Sequence, residues 1–128
     1  MAIEAIVTDK APAALGPYSA AATATATRAI HVSGQLPIVP ETGEFAGDDI
    51  AAQTRQSLTN VRGILEAAGA SMADVAEVTV LLDDIADFAA MNEVYGEFFE
   101  APYPSRAAFE VAALPKGAKV EIKAVAYC

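Results

Sequence analysis

Residues 48–82 read DDIAAQTRQSLTNVRGILEAAGASMADVAEVTVLL, and this stretch decides the fold. Asp48 and Asp49 supply acceptors and negative charge for a helix N-terminus, and Gly69 supplies the residue that closes it. Between them Ile50, Thr54, Ser57/Leu58, Val61, Ile64/Leu65 and Ala68 recur at intervals of three and four, the spacing of one helical face. The period then switches to two. From Val75 to Leu82, the residues Val78, Val80 and Leu82 fall on one side and Glu77, Thr79 and Leu81 on the other. An amphipathic helix followed at once by an alternating strand needs a sheet for the helix to cover.

Working outward, Asp83-Asp84 open a second helix whose stripe is Ile85, Phe88, Met91, Tyr95 and Phe98/Phe99, ended by Pro102 and Pro104. Beyond it Arg106 to Val111 alternates, Pro115-Lys116-Gly117 turns, and Lys119 to Tyr127 alternates again. This reads as a hairpin with Val120, Ile122, Ala124 and Ala126 toward the helices, joined by Phe109 and Val111. Upstream, Ala29 to Ser33 is a strand with Ile30 and Val32 on one face, and Gly34, Pro37, Pro40 and Gly43 punctuate a loop or hairpin. Propensity leaves Ala20 to Thr27 open between a weak strand and an extended segment. The order β, β, α, β, α, β, β predicts a single α+β domain over residues 1–128, with two helices on one face of the sheet and the other face open.

Composition narrows the function. The 128 residues carry 8 Lys+Arg against 17 Asp+Glu, a formal charge of −9, and the basic residues are scattered. A protein built to grip phosphate backbones concentrates positive charge on one face, so nucleic acid is not the expected partner. Hydrophobic residues make up 54% of the chain, which excludes a disordered one. No apolar run reaches the ~18 residues needed to cross a bilayer, so no membrane role is expected. Cys128 is the single cysteine, which rules out an internal disulfide framework. Met1-Ala2-Ile3-Glu4-Ala5 shows no secretory pattern, and the expected location is the cytoplasm.

Few residues can carry chemistry. His31 is the only histidine, and with one terminal Cys it offers no metal-ligand spacing, so no metal is expected. Gly34-Gln35-Leu36-Pro37 opens no helix and resembles no phosphate loop. Period-two reading places Arg106, Ala108 and Glu110 on the face away from the helices, with Glu121, Lys123 and Val125 beside them. Arg106 is a bidentate carboxylate donor by type and Glu121 a general base or acid, although cross-strand charge pairing explains the same pattern. Gly16-Pro17-Tyr18-Ser19 is a turn presenting a tyrosine, for which simple packing is an equal account. Asn92 lies mid-helix beside the apolar stripe, where it is either exposed or turned to a ligand or interface.

Taken together and in order, Gly16-Pro17-Tyr18, residues 32–37 (VSGQLP), residues 53–61 (QTRQSLTNV), Pro104-Ser105-Arg106, residues 110–116 (EVAALPK) and residues 120–126 (VEIKAVA) resemble the RidA/YjgF family over nearly the whole chain. The resemblance implies a chorismate-mutase-like fold, a homotrimer with clefts between subunits, and hydrolysis of reactive enamines and imines such as 2-aminoacrylate to 2-keto acids and ammonia without a cofactor. It implies that Arg106 holds the substrate carboxylate and Glu121 activates water. Tyr18, Ser33, Asn92 and the Ala108 backbone would line the cleft. Family members often carry a hydroxyl residue and then Cys after this Arg, where this chain has Ala107-Ala108, which bears on substrate preference. Two other roles attach to such a chain: a non-catalytic binder of small carboxylates, and an endoribonuclease or translation inhibitor, which the charge disfavours.

Overall fold

The computed structural model describes residues 3–128. Met1 and Ala2, the start of the segment read for a secretory pattern, lie outside the described residues. The elements in chain order are β1 (Ile3–Ile6), β2 (Ala21–Ala24), β3 (Ala29–Gln35), α1 (Ile50–Ala67), β4 (Val75–Leu82), α2 (Phe88–Tyr95), β5 (Ser105–Glu110) and β6 (Val120–Tyr127). The main sheet has the order β3-β6-β4-β5, and β1 and β2 form a separate two-stranded antiparallel sheet. The Ala/Thr-rich stretch is thus a short strand, paired with a segment, Ile3–Ile6, that the sequence pattern had not marked.

The first helix follows its pattern closely. Asp49 accepts a hydrogen bond from the Ala52 N–H at 3.3 Å, which satisfies one of the orphan donors of the first turn. Gly69 takes a left-handed φ of 81° and its N–H bonds to the Glu66 carbonyl, ending the helix. Leu58, Val61 and Leu65 are fully buried, each stabilising the fold by about 1.5–3 kcal/mol. They pack on Val78, Val80 and Leu82 of β4, on Val120, Ile122 and Ala124 of β6, and on Val32 of β3.

Two polar side chains fasten this helix to its surroundings. Asn60 donates to the carbonyls of Leu36 (3.2 Å) and Ile38 (2.9 Å), and Gln56 donates to the Asn60 Oδ1. Gln53, itself buried, donates to the Gly47 carbonyl at 3.0 Å and accepts from the Lys119 N–H at 2.9 Å. The intervening residues 40–44 are exposed.

Three sequence expectations are corrected. The second helix does not begin at Asp83-Asp84: a 3-10 turn, Ile85–Asp87, comes first, with Asp84 accepting from the Ala86 N–H, and α2 is finished by Tyr95, well before Pro102. The last two strands are not a hairpin. β4 lies between them, parallel to β5 and antiparallel to β6. The helical connection after β4 returns the chain to the end where β4 began, so the next strand must run parallel. Residues 111–119 then step around the end of β4, where Val111 N–H bonds the Leu82 carbonyl and Asp83 N–H bonds the Lys119 carbonyl.

That pairing reverses the parity assigned to β5. Arg106 is in register with Val78 and Ala108 with Val80, both core residues, so Arg106, Ala108 and Glu110 stand on the helix-covered face. Phe109 is in register with Leu81 and is 46% exposed on the open face, not turned to the core. Period two says which residues share a side of a strand; it does not say which side the helices cover.

Candidate active site

Arg106 sits in a cage built from two other parts of the chain. α2 contributes Phe88, Asn92 and Tyr95, spaced four and three apart and so stacked along one helix face. The loop before β2 contributes Tyr18. This loop is pinned to the start of β5: Ser19 N–H bonds the Pro104 carbonyl at 3.1 Å and the Ser19 hydroxyl bonds the Tyr103 carbonyl. Tyr18 is held from its own side as well, its hydroxyl accepting from the Leu15 N–H at 3.3 Å. The turn at Gly16 passes close to the same helix face: a Cβ there would lie 3.4 Å from the Asn92 Nδ2, an ordinary contact.

The guanidinium carbon of Arg106 lies 4.7 Å from the ring centre of Tyr95, 5.4 Å from that of Tyr18 and 5.5 Å from that of Phe88. Asn92 Oδ1 accepts from its Nη1 at 2.6 Å. Among the described residues no carboxylate pairs with it, and its Nε and Nη2 donors have no protein acceptor. Burial lowers the Arg106 guanidinium from its ordinary range, with Tyr95 and Tyr18 pulling the other way. Burial likewise raises the Tyr95 phenol, and Arg106 opposes that rise. A half-buried cation held by ring faces and one amide oxygen, with a fork of donors unengaged, has the donor geometry that matches a planar anion.

Ala108 follows two residues on. Because the Val111 N–H points to β4 and strand donors alternate in direction, the N–H of Ala108 points outward from the sheet edge.

Glu121 belongs to a different place. Its register partner is Leu81, which puts it on the open face with Lys123 and Val125, across the sheet from Arg106 of the same chain. There it lies against Gly34, close enough that a Cβ at Gly34 would sit 2.2 Å from Glu121 Oε2. Ser33 precedes that glycine at the bulged end of β3. The structure therefore divides the six sequence candidates. Tyr18, Asn92, Arg106 and the Ala108 edge lie together in one cluster, and Ser33 and Glu121 lie together on the opposite face. Phe88, Tyr95 and Gly34 were missed as site residues. The first two were read only as core stripe, though their spacing with Asn92 was visible.

A cleft of about 610 Å³ opens between α1 and the segment after β3, bordered by Gly34, Gln35, Leu36, Asn60 and Ile64. It reaches the neighbourhood of Glu121 through Gly34 and does not include Arg106. Among the described residues no group of three or more His, Cys, Asp or Glu side chains could hold a metal, and no helix is long and apolar enough to cross a membrane.

A mixed sheet covered on one face by two helices is a fold this chain shares with solved RidA-type proteins. RidA from the Antarctic bacterium Psychrobacter sp. PAMC 21119 superposes with a TM-score of 0.77 at 46% identity, covering 98% of this chain and 99% of that one. A Rid-family protein of Yersinia pestis, titled as of unknown function, superposes at 0.91 with 29% identity, covering 100% of each chain. The chain belongs to the family described as Endoribonuclease L-PSP, whose model matches residues 8–128. Among curated relatives, the goat (Capra hircus) protein named 2-iminobutanoate/2-iminopropanoate deaminase is 49% identical over 94% of this chain and 87% of its own length. A RutC family protein of Pyrococcus abyssi is 51% identical over 99% and 98%.

Proposed function

We propose that this chain hydrolyses small 2-imino acids, and their enamine tautomers, to 2-keto acids and ammonia. The observation that carries the reading is the unpaired Nε–Nη2 fork of Arg106 inside its aromatic and amide cage. Its planar donors match the carboxylate of such a substrate, and the outward Ala108 N–H is a second donor for it. The naming of relatives at 46–49% identity as 2-iminobutanoate/2-iminopropanoate deaminases supports the same chemistry.

The reaction needs a water and proton transfers. Glu121 takes a proton from the water as the water oxygen bonds to the imine carbon and delivers it to the nitrogen, giving a carbinolamine. Glu121 then takes the hydroxyl proton as the C=O bond forms and the C–N bond breaks, and passes it to the departing nitrogen, which leaves as ammonia. Tyr18 and Ser33 supply hydrogen bonds to substrate or water. Asn92 orients the Arg106 fork, its oxygen being already engaged there. No step calls on a bound cofactor.

Arg106 and Glu121 of one chain are on opposite faces of the sheet, so in this reading a working site takes Arg106 from one copy and Glu121 from a neighbour. The homotrimer implied by the family resemblance supplies such clefts and covers the open face carrying Leu81 and Phe109. A small soluble enzyme of this kind acts in the cytoplasm, where its substrates are released.

The test is a coupled assay in which an amino-acid lyase releases the imine and semicarbazide captures what survives. Wild type suppresses the semicarbazone and Arg106→Ala does not. Suppression that persists in Arg106→Ala removes Arg106 from the mechanism. Binding of 2-oxobutanoate with no suppression by wild type makes the chain a carboxylate binder.

A further inference from the structure

Among the three rings around Arg106, Tyr95 is distinct. It is the nearest, at 4.7 Å, and the only one fully buried; Tyr18 and Phe88 are half-buried, on a loop and at the first residue of α2. Its ring is backed by Phe99, whose centroid lies 4.6 Å away at an interplanar angle of 31°, so it has no room to swing. Among the described residues its hydroxyl has no hydrogen-bond partner, so it orients none of them. What Tyr95 presents to Arg106 is the face of an immobile ring.

We propose that Tyr95 is a positioning residue for carboxylate recognition: its ring face is the fixed floor that holds the Arg106 guanidinium so that the Nε–Nη2 fork meets the ligand. The proposal rests on Arg106 being the carboxylate clamp. A long arginine at a sheet edge samples many rotamers in water, and each one lost on binding weakens affinity. Asn92 fixes one nitrogen, which leaves rotation about that bond; a ring face below the guanidinium plane removes it. Attraction of a cation to a ring face strengthens when water is excluded, and burial has already lowered the guanidinium from its ordinary range. Tyr18 and Phe88 are walls that can be displaced; Tyr95 cannot be without opening the core.

The test replaces Tyr95 with phenylalanine and then with phenylalanines carrying one, two and three ring fluorines. Volume is nearly constant along the series while the negative charge of the ring face falls. Thermal melts establish that each member is folded. Two quantities are read on the full chain: the rate of rotation about the Arg106 Nε–Cζ bond by NMR of the free protein, and the dissociation constant for 2-oxobutanoate. Rotation accelerates with each fluorine, and affinity falls roughly tenfold from the first member to the last. A flat series in both quantities overturns the role given to Tyr95. Absence of 2-oxobutanoate binding by wild type overturns the carboxylate reading instead, and the rotation rates still decide the question of Tyr95.

Discussion

Replacing Gly34 with alanine puts a methyl carbon where the Glu121 carboxylate now lies. The ideal Cβ is 2.2 Å from Oε2, 2.8 Å from Cδ and 3.1 Å from Cγ. Against an ordinary carbon–oxygen approach of about 3.3 Å, the carboxylate must retreat by about 1.1 Å. The far end of a glutamate can do so, at about 0.5–1.5 kcal/mol for an off-rotamer side chain, and the loss of a flexible glycine returns about 0.4–1 kcal/mol. Stability should therefore change by less than about 1 kcal/mol. Activity should not be spared, because a displacement of about 1 Å in a reacting group costs on the order of a hundredfold. Gly34→Ala is expected to lower kcat about a hundredfold in the imine-capture assay, with KM little altered, since the added methyl meets only Glu121 and leaves the Arg106 clamp untouched. The control is the Glu121→Gln background, in which the added alanine should do almost nothing more. An unchanged kcat would refute Glu121 as the group that activates water. A full additional loss in the Glu121→Gln background would show that the glycine acts through something other than the carboxylate.

Asn92→Ala removes the 2.6 Å bond to Arg106; at about 1.5–3 kcal/mol for a charged hydrogen bond, KM should rise at least tenfold, as steady-state kinetics would show. Purified Arg106→Ala and Glu121→Gln, each inactive alone, should regain activity when refolded together, because some clefts then receive both intact residues. A mixture as dead as its parts refutes the shared site. Burial raises the Tyr95 phenol above its unfolded value, so its contribution to stability is complete below about pH 10 and is lost above it, as the unfolded chain gives up the proton first. That loss is about 1.4 kcal/mol per pH unit, and denaturant titrations at alkaline pH should show a shallower decline in Tyr95→Phe. Leu58→Ala empties a fully buried position under the sheet and should cost about 2–5 kcal/mol in the same titrations.

What the sequence disclosed depended on whether a local pattern had one physical meaning. α1 was legible from cap to closing glycine because Asp49, the 3.6 period and Gly69 agree. β4 and β6 were legible because their buried residues alternate, and β3 because Ile30 and Val32 share one face. β5 was found as a strand and misplaced as a hairpin partner, since parallel against antiparallel is settled by where a connection returns the chain, not by the strand's own residues. Its side assignment failed with it, and so did the grouping of Arg106 with Glu121. β1 is four residues with one buried, too short to announce itself. Tyr95 fits the apolar stripe as well as any core aromatic does, and only the fold shows that its other face meets a cation. Nothing local to Gly34 tells that a glutamate 87 positions later will lie against it.

The two amide side chains of α1 that grip Leu36, Ile38 and Gly47 hold both ends of the same loop. Residues 40–44 between these grips contribute nothing to the sheet and bear no share of the core. Chain length there is free to vary, because lengthening a loop whose ends are already fixed adds only about 0.6 kcal/mol per doubling. A peptide epitope or a fluorescent reporter inserted after Glu41 should be displayed at the surface by a protein that folds as before, with Gln53 and Asn60 serving as the rivets of the graft.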